Sequence, residues 1–185
     1  NPLTPMKLSI QYLQKAIHND SADVKQMTSN VAKTLVEQID HLSHIASEFS
    51  QFANINNAKV EVFDLHDILY SLSHLYESGE EVHFSWIPVH QPLRVAADRT
   101  QMNRLFTNLL KNAVEATTVD EYRMVRMLEE VRDNTVVISV TDNGNGIPAE
   151  MRSKIFTPNF TTKTSGTGLG LAMSKGIVEQ AKGAI

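Results

Sequence analysis

The stretch Asp142-Asn143-Gly144-Asn145-Gly146-Ile147-Pro148 follows a run of alternating apolar residues, and its interpretation decides the fold class. Val136, Ile138 and Val140 alternate with other residues, which predicts a β-strand whose face they share with Asp142. A carboxylate at the end of a strand can accept a hydrogen bond from an exocyclic amine, and glycines let the backbone approach a flat base closely. Taken alone, the stretch is equally compatible with a plain Asn-Gly turn.

Two asparagines precede this stretch on a predicted helix. Asp98 is a suitable N-cap for that helix, and its buried side would carry Met102, Leu105, Phe106, Leu109, Leu110 and Ala113. Asn108 and Asn112 are four residues apart, so their side chains face the same way. Carboxamide oxygens suit a hard cation such as Mg²⁺. Two solvated asparagines on an exposed helix face are the alternative.

A glycine-rich segment, Gly166-Thr167-Gly168-Leu169-Gly170-Leu171, opens the last predicted helix, which runs to about Gln180 and can be terminated by Gly183. Free backbone N–H groups at the positive end of a helix suit phosphate. The segment lacks the Lys-Ser/Thr ending of a Walker loop and the preceding strand of a dinucleotide-binding fold. Both of those interpretations are therefore excluded.

The first fifty or so residues contain no glycine, and their apolar residues recur at steps of three, four and seven. This pattern predicts a helical hairpin over residues 1–53, with Asp20 or Ser21 capping the second helix after a polar turn. The predicted apolar stripe is Met6, Ile10, Leu13, Ile17, Val24, Val31, Leu35, Leu42, Ile45, Phe49 and Phe52. A second copy of the hairpin would complete a four-helix bundle, and packing against the rest of the same chain is the alternative.

Residues 54–185 mix predicted strands and helices after an Asn-rich linker, which indicates a sheet covered by helices on one face. Composition narrows the function classes. The 17 basic and 21 acidic residues give a net charge of 17 − 21 = −4, which argues against a nucleic-acid partner. The absence of cysteine excludes a disulfide framework. No apolar run approaches the roughly 18–20 residues of a membrane span, so membrane attachment is expected only through regions outside this chain.

In chain order, the first motif (Asn108 and Asn112), the second (Asp142–Pro148) and the third (Gly166–Leu171) resemble the N, G1 and G2 boxes of the GHKL superfamily of ATP-binding domains. Ile155-Phe156-Thr157-Pro158-Asn159-Phe160 resembles the F box of histidine kinases, and residues 1–17 resemble the stretch after the phosphoacceptor histidine in His-Glu-x-Lys-Asn-Pro-Leu kinases. The likeness is strongest to nitrogen-regulation-type sensor kinases. It implies an α+β fold, in which an antiparallel helical hairpin that dimerises into a four-helix bundle is followed by a GHKL (Bergerat-type) α/β sandwich.

The resemblance also implies ATP and Mg²⁺ as cofactors and a role for each motif residue. Asp142 would bind the adenine amino group, and Gly144 and Gly146 would shape the adenine pocket. Asn112 would ligate Mg²⁺, with Asn108 beside it. The other nucleotide-binding residues would be Ile147, Phe156, Lys163, Thr167, Gly168, Leu169 and Gly170.

Within that site, Lys163 would reach the phosphates from a mobile lid over about 143–168, which Phe156 and Phe160 would anchor. Asn1 stands where related kinases orient water for dephosphorylating a response regulator. Asn108, Asn112, Lys163 and Asn1 are thus the expected catalytic set. The phosphoacceptor histidine would lie just upstream of Asn1, so this chain is not expected to phosphorylate itself, and the family's final strand and helix are expected beyond its end.

The activity so implied is that of a cytoplasmic, homodimeric sensor histidine kinase, which passes the ATP γ-phosphoryl group to a histidine and then to an aspartate of a response regulator. Two alternatives remain: a non-catalytic nucleotide-binding dimerisation module, and a GHKL ATPase. ATP-hydrolysing relatives carry Glu where Asn108 stands, and a carboxamide cannot accept a proton at neutral pH. Slow hydrolysis is therefore expected. Glu115 is a possible substitute base, although an ordinary surface Glu is the simpler interpretation.

Overall fold

The computed structural model describes residues 3–19, 23–55, 57–77, 82–117, 122–163 and 166–185. Asn1 and the expected caps Asp20 and Ser21 lie outside these residues. The chain divides into two compact units, residues 1–51 and 52–185.

The first unit consists of helix α1 (Leu3–His18) and most of helix α2 (Val24–Ala53). Among the described residues of these helices, Ala16 and Val31 are the only buried ones. Of the predicted apolar stripe, Ile10, Ile17 and Phe49 are 41%, 55% and 63% exposed in the single hairpin, and their cover by a second copy stays a prediction. Two helices have only one mutual interface, so apolar residues off that line stay exposed. None of the helices in the described ranges has the length and apolar character needed to cross a bilayer.

The second unit combines a two-stranded antiparallel sheet, β1-β3, with a three-stranded sheet in the order β2-β4-β5. Strand β2 runs parallel to β4, and β4 runs antiparallel to β5. The predicted α+β fold is therefore confirmed. The elements are β1 (Glu61–Asp64), α3 (His66–Glu77), β2 (Val82–Ile87), β3 (Arg94–Ala97), α4 (Arg99–Glu115), β4 (Arg123–Arg132), β5 (Thr135–Asp142), α5 (Ala149–Arg152) and α6 (Gly170–Gln180).

The core of the second unit lies between the sheets and helices α3, α4 and α6. Val125 and Met127 point inward from β4 and are at most 1% exposed, as alternation along a strand requires. The side of α4 predicted to be buried is buried, except that Leu109 is only partly covered. Helix α4 thus packs its apolar side into the core and leaves Asn108 and Asn112 half-buried at its border.

Asp98 caps α4, as predicted. Its carboxylate accepts hydrogen bonds from the backbone N–H of Gln101 at 3.0 Å and of Lys59 at 2.7 Å. Partial burial raises the pKa of the Asp98 carboxyl, but backbone hydrogen bonds outweigh it and hold that pKa below its usual value. The cap fixes where α4 begins and hence the height of Asn108 and Asn112 along it.

The turn between β4 and β5 and the end of α6 each contain a residue in the left-handed conformation. Asp133 adopts φ +52° in the tight turn between β4 and β5, and the resulting register sets Asp142 opposite Val125. Gly183 was expected to end α6, but the left-handed residue there is Lys182, at φ +60°. Gly183 is the next residue, and its N–H donates to the Val178 carbonyl oxygen at 2.8 Å in a Schellman-type ending.

A buried carboxylate that the sequence patterns did not indicate ties three elements together. The side chain of Glu129 on β4 is 0% exposed, and His66 Nε2 lies 2.9 Å from its Oε2. Trp86 Nε1 and the Val89 backbone N–H each donate to the carboxylate at 2.9 Å. Glu129 therefore joins the start of α3, strand β2 and the segment after β2 to strand β4.

We expect Glu129→Ala to lower the free energy of unfolding by about 3–5 kcal/mol, because it leaves buried donors without an acceptor. Urea unfolding followed by far-UV circular dichroism, with the fluorescence of Trp86, the chain's single tryptophan, as a second probe, measures this loss. The matched control is Glu130→Ala: Glu130 is the exposed neighbour, and its change should stay within about 0.5 kcal/mol. Equal losses in the two variants would contradict the assignment.

Candidate functional site

The loop after β5 lies directly against the C-terminal end of α4. A Cβ atom on Gly144 would stand 2.5 Å from the carbonyl oxygen of Ala116, so only glycine fits at this approach. The backbone N–H of Asn145 donates to the same Ala116 oxygen at 3.3 Å. The first and second sequence motifs therefore meet at this end of α4.

The start of α6 lies against the middle of α4. A Cβ atom on Gly170 would overlap the Asn108 carboxamide oxygen. Asn108 Nδ2 donates to Ser174 Oγ at 2.8 Å, and the Ser174 hydroxyl donates to the Gly170 carbonyl oxygen at 3.0 Å. Ser174 is fully buried. The third motif is thus held to α4 by a chain of hydrogen bonds. The close contact is possible because Gly170 has no side chain.

Asn112 and Lys163 form the most polar part of the site. Asn112 Nδ2 lies 3.5 Å from Asn108 Oδ1, so the two side chains do face the same way. Lys163 Nζ donates to Asn112 Oδ1 at 3.1 Å and to Glu115 Oε2 at 2.5 Å, with Lys163 and Glu115 each 41% exposed. The Asn112 oxygen is therefore positioned toward a cationic group.

Asp142 ends β5 with an exposed side chain. Its Oδ1 accepts a hydrogen bond from the Gly144 backbone N–H at 2.9 Å, which orients the carboxylate. Gly146 adopts φ +69°, a left-handed conformation that favours glycine. Ile147 follows, is 45% exposed and accepts a hydrogen bond from Arg152 Nε through its carbonyl oxygen at 3.1 Å.

The segment between the second and third motifs is fastened at Gly168. Gly168 adopts φ +71°, and its carbonyl oxygen accepts from the Asn159 N–H at 3.0 Å. Thr167 Oγ1 accepts from the Leu169 N–H at 3.3 Å, and Leu169 is buried. Phe156 is half-buried, and Lys175 Nζ on α6 lies 5.9 Å from the centre of its ring.

The sites of contact are ordered along α4. Asn108 and Ala116 are eight residues apart, which corresponds to roughly 12 Å of helix. Asp142 and Gly144 lie at the Ala116 end, while Gly170 lies at the Asn108 end and Lys163 at Asn112. Helix α4 therefore forms one side of an elongated site, with the Asp142 carboxylate at one end, the Asn108 carboxamide and the start of α6 at the other, and Asn112 with Lys163 between them.

The side chains that could ligate a magnesium ion at this site are the two carboxamides. In the described ranges, no group of three or more His, Cys, Asp or Glu side chains could hold a metal ion. The carboxamide oxygens of Asn108 and Asn112 fit a Mg²⁺ ion that keeps water and phosphate oxygens as its other ligands. The nearby Lys163 ammonium supports this fit, since it shows that the Asn112 oxygen accepts from a cation.

Sequence reasoning missed three contributors to this site. Ser174 lies four residues after Gly170 on α6, a spacing that places both on one helix face, but a lone serine gave no signal. Glu115 was considered only as a base or a surface residue, whereas it pairs with Lys163. The side chain of Asn143 was not assigned any role, although it makes three hydrogen bonds.

Comparison with known proteins identifies the family. Residues 97–185 match the family described as "Histidine kinase-, DNA gyrase B-, and HSP90-like ATPase". The nitrogen regulation protein NtrY of Azorhizobium caulinodans is 32% identical over an alignment of 192 residues, which covers 100% of this chain and 25% of that protein. The chain spans about a quarter to two fifths of the length of the curated relatives that it matches.

Solved structures agree with this result. The catalytic domain of the histidine kinase ThkA is 36% identical, with a TM-score of 0.60, over 66% of this chain and 82% of that one. A structure of ThkA in complex with the response regulator protein TrrA is 27% identical, with a TM-score of 0.72, over 99% of this chain and 52% of that one. Site and fold together define a GHKL-type ATP-binding domain preceded by a helical hairpin.

The chain accordingly belongs to the family of histidine kinase-, DNA gyrase B- and HSP90-like ATPases, and within it to the sensor histidine kinases. The family resemblance stated from the sequence motifs is thereby confirmed.

We expect Gly144→Ala to destabilise the second unit by about 1–3 kcal/mol, because its Cβ atom would overlap the Ala116 backbone. Urea unfolding of the chain measures the change. The matched control is Gly146→Asn: within the described part of the chain a Cβ there meets no atom within 4 Å, and Asn tolerates φ +69°. If Gly144→Ala were as stable as this control, the close approach to α4 would be refuted.

Proposed function

We propose that this chain is the ATP-binding catalytic core of a sensor histidine kinase that transfers the γ-phosphoryl group of ATP to a histidine of the dimerisation helix and from there to an aspartate of a response regulator. The observation that carries the proposal is the convergence of three separate segments on α4, with Gly144 at Ala116 and Gly170 at Asn108. Such convergence explains why all three motifs occur in one chain.

The Asp142 end of the site would take the adenine base. Asp142 Oδ1 is oriented by the Gly144 N–H, and the loop glycines allow a planar base to lie close to the backbone. A carboxylate accepts hydrogen bonds only, so it selects a base that presents an exocyclic amine.

The other end would take the phosphates and Mg²⁺. Asn112 and Asn108 would supply carboxamide oxygens to the metal, which neutralises charge on the phosphates. Lys163 would exchange its contact with Glu115 for a phosphate oxygen, and the first turn of α6 would offer backbone N–H groups. The catalytic contribution of these residues is positioning and charge neutralisation.

The chemistry of Asn108 favours transfer of the phosphoryl group to a side chain over its hydrolysis by water. Its carboxamide donates to Ser174 and borders Gly170, and a carboxamide cannot act as a general base. The complex of the related ThkA with TrrA supports a response regulator as the phosphoryl acceptor.

The test of this function is binding of Mg²⁺ with a non-hydrolysable ATP analogue. By calorimetry, Asp142→Ala should lower the affinity at least tenfold, because the base loses its acceptor. Asn112→Ala should remove most of the increase in affinity that Mg²⁺ provides. In the full-length protein, the same two variants should lose acid-labile phosphate incorporation from labelled ATP.

The control variants carry the same chemical changes away from the site. Asp133→Gly removes a carboxylate at the opposite end of β5, and Asn103→Ala removes a carboxamide from the exposed side of α4. Both should bind the analogue as the unmodified chain does. Unchanged affinity in Asp142→Ala would overturn the adenine assignment, and rapid phosphate release without a phosphohistidine would favour the ATPase alternative.

A homodimer formed through the hairpin completes the proposal. On α1, Leu3, Ile10 and Ile17 recur every seven residues and are 57%, 41% and 55% exposed. A seven-residue repeat of aliphatic side chains is the pattern of a helix–helix seam. Burying large apolar side chains contributes about 1.5–3 kcal/mol each, so a second hairpin is a strongly favoured partner for this stripe.

We expect Ile10→Asp to shift the chain from dimer to monomer, because it would bury a charge in that seam. Analytical ultracentrifugation over a range of concentrations measures the dissociation constant, and circular dichroism checks that the helices persist. Gln11→Asp adds the same charge at the neighbouring exposed position and should leave the dimer intact. A chain that is monomeric at all concentrations before mutation would disprove the seam.

A further inference from the structure

The side chain of Asn143 makes three hydrogen bonds to protein groups at the point where three elements meet. Its Oδ1 accepts from the Met124 backbone N–H at 2.8 Å and from the Thr117 hydroxyl at 3.2 Å. Its Nδ2 donates to the Tyr122 carbonyl oxygen at 2.8 Å. Its backbone N–H also donates to the Met124 carbonyl oxygen at 3.3 Å.

These bonds join the end of α4, the start of β4 and the end of β5. Thr117, which is 5% exposed, lies two residues after the end of α4, and Tyr122 and Met124 flank the first residue of β4. Asn143 is covalently next to Asp142, the last residue of β5. The three bonds therefore hold the backbone of Asp142 at a set distance from both α4 and β4.

Only a carboxamide satisfies this arrangement. An Asn side chain carries an acceptor with two lone pairs and a donor at the same planar end, which matches two donors and one carbonyl acceptor. An aspartate would keep the two accepted bonds but would set a carboxylate oxygen against the Tyr122 carbonyl oxygen. A threonine or serine is too short to span all three partners.

From this geometry we infer that Asn143 is a positioning residue that sets the base selectivity of the nucleotide site by holding the Asp142 carboxylate in place. The inference rests on the proposed function, in which Asp142 accepts from the exocyclic amine of adenine. A hydrogen bond weakens steeply when its distance or angle departs from the optimum, so a displaced Asp142 loses contact with the amine first. The phosphates would bind near Asn108 and Asn112, away from Asp142, and would be affected less.

The experiment compares ATP with inosine triphosphate, which carries an oxygen in place of the amino group. Calorimetric affinities for both nucleotides, with Mg²⁺ present, are measured in the unmodified chain and in Asn143→Ala. We expect Asn143→Ala to lower ATP affinity about tenfold while changing inosine triphosphate affinity less than twofold, so that the preference for ATP largely disappears. Asn134→Ala, in the β4–β5 turn, is the matched control and should preserve the preference.

Two further variants keep the test decisive. If Asn143→Ala does not fold, Asn143→Asp and Thr117→Val each remove one of the hydrogen bonds, and both should reduce the ATP preference severalfold. Equal losses of affinity for the two nucleotides, or no loss, would overturn the positioning role of Asn143. Asp142→Ala must abolish the preference in the same assay. A preference that survives in Asp142→Ala would instead refute the adenine assignment of the proposed function.

Discussion

The close approach of two backbone segments to helix α4 is the constraint on which the rest of the site depends. At Gly144 and at Gly170 an added Cβ atom would collide with α4 itself, once with the Ala116 backbone and once with the Asn108 side chain. These contacts bring together parts of the chain that are 28 and 62 residues apart in sequence. The core packing of α4 and its cap at Asp98 fix the surface against which both segments rest. Polar residues at the border of that surface are thereby brought together in one site, although they are far apart in sequence.

Charge is distributed unevenly along this site. This distribution suits the proposed binding of a base at one end and of phosphates farther along α4. The only carboxylate that the motifs supply lies at the Asp142 end, where it would meet an uncharged amine. Farther along α4 toward Asn108, Lys163 is shared between Glu115 and the Asn112 oxygen. An ion pair exposed to this extent contributes at most about 1 kcal/mol, whereas hydrogen bonds from lysine to phosphate are strong. Glu115 can therefore hold the lysine near the site without preventing its transfer to a phosphate.

Local patterns in the sequence were sufficient to predict the helices and strands. They were not sufficient to predict contacts between residues far apart in the chain. The Asp98 cap, the β4–β5 hairpin and the buried side of α4 each follow from periodicity or turn chemistry within a few residues. Periodicity could not say which residues of the hairpin stay exposed, because Ile10 and Ile17 have the same spacing as residues that become covered. The pairing of Glu129 with His66 and Trp86 spans 63 and 43 residues, and no local pattern requires it. The end of α6 at Lys182 shows a similar limit, since hydrogen bonds from the next residues impose a conformation that glycine would adopt more readily.

The motif residues divide into those that would touch a nucleotide and those that hold the site together, and the sequence alone does not separate them. Asn143 lies between Asp142 and Gly144, yet its side chain is hydrogen-bonded to Thr117, Tyr122 and Met124. Asn108 resembles Asn112 in type and spacing, but its amide nitrogen donates to Ser174, so only its oxygen is left for a ligand. The Asn143 oxygen already accepts two protein hydrogen bonds, so it has no further lone pair to offer a ligand. In the proposed site, base selectivity would thus depend on residues that do not contact the base, because the hydrogen bonds of Asn143 hold the strand end that carries the Asp142 carboxylate.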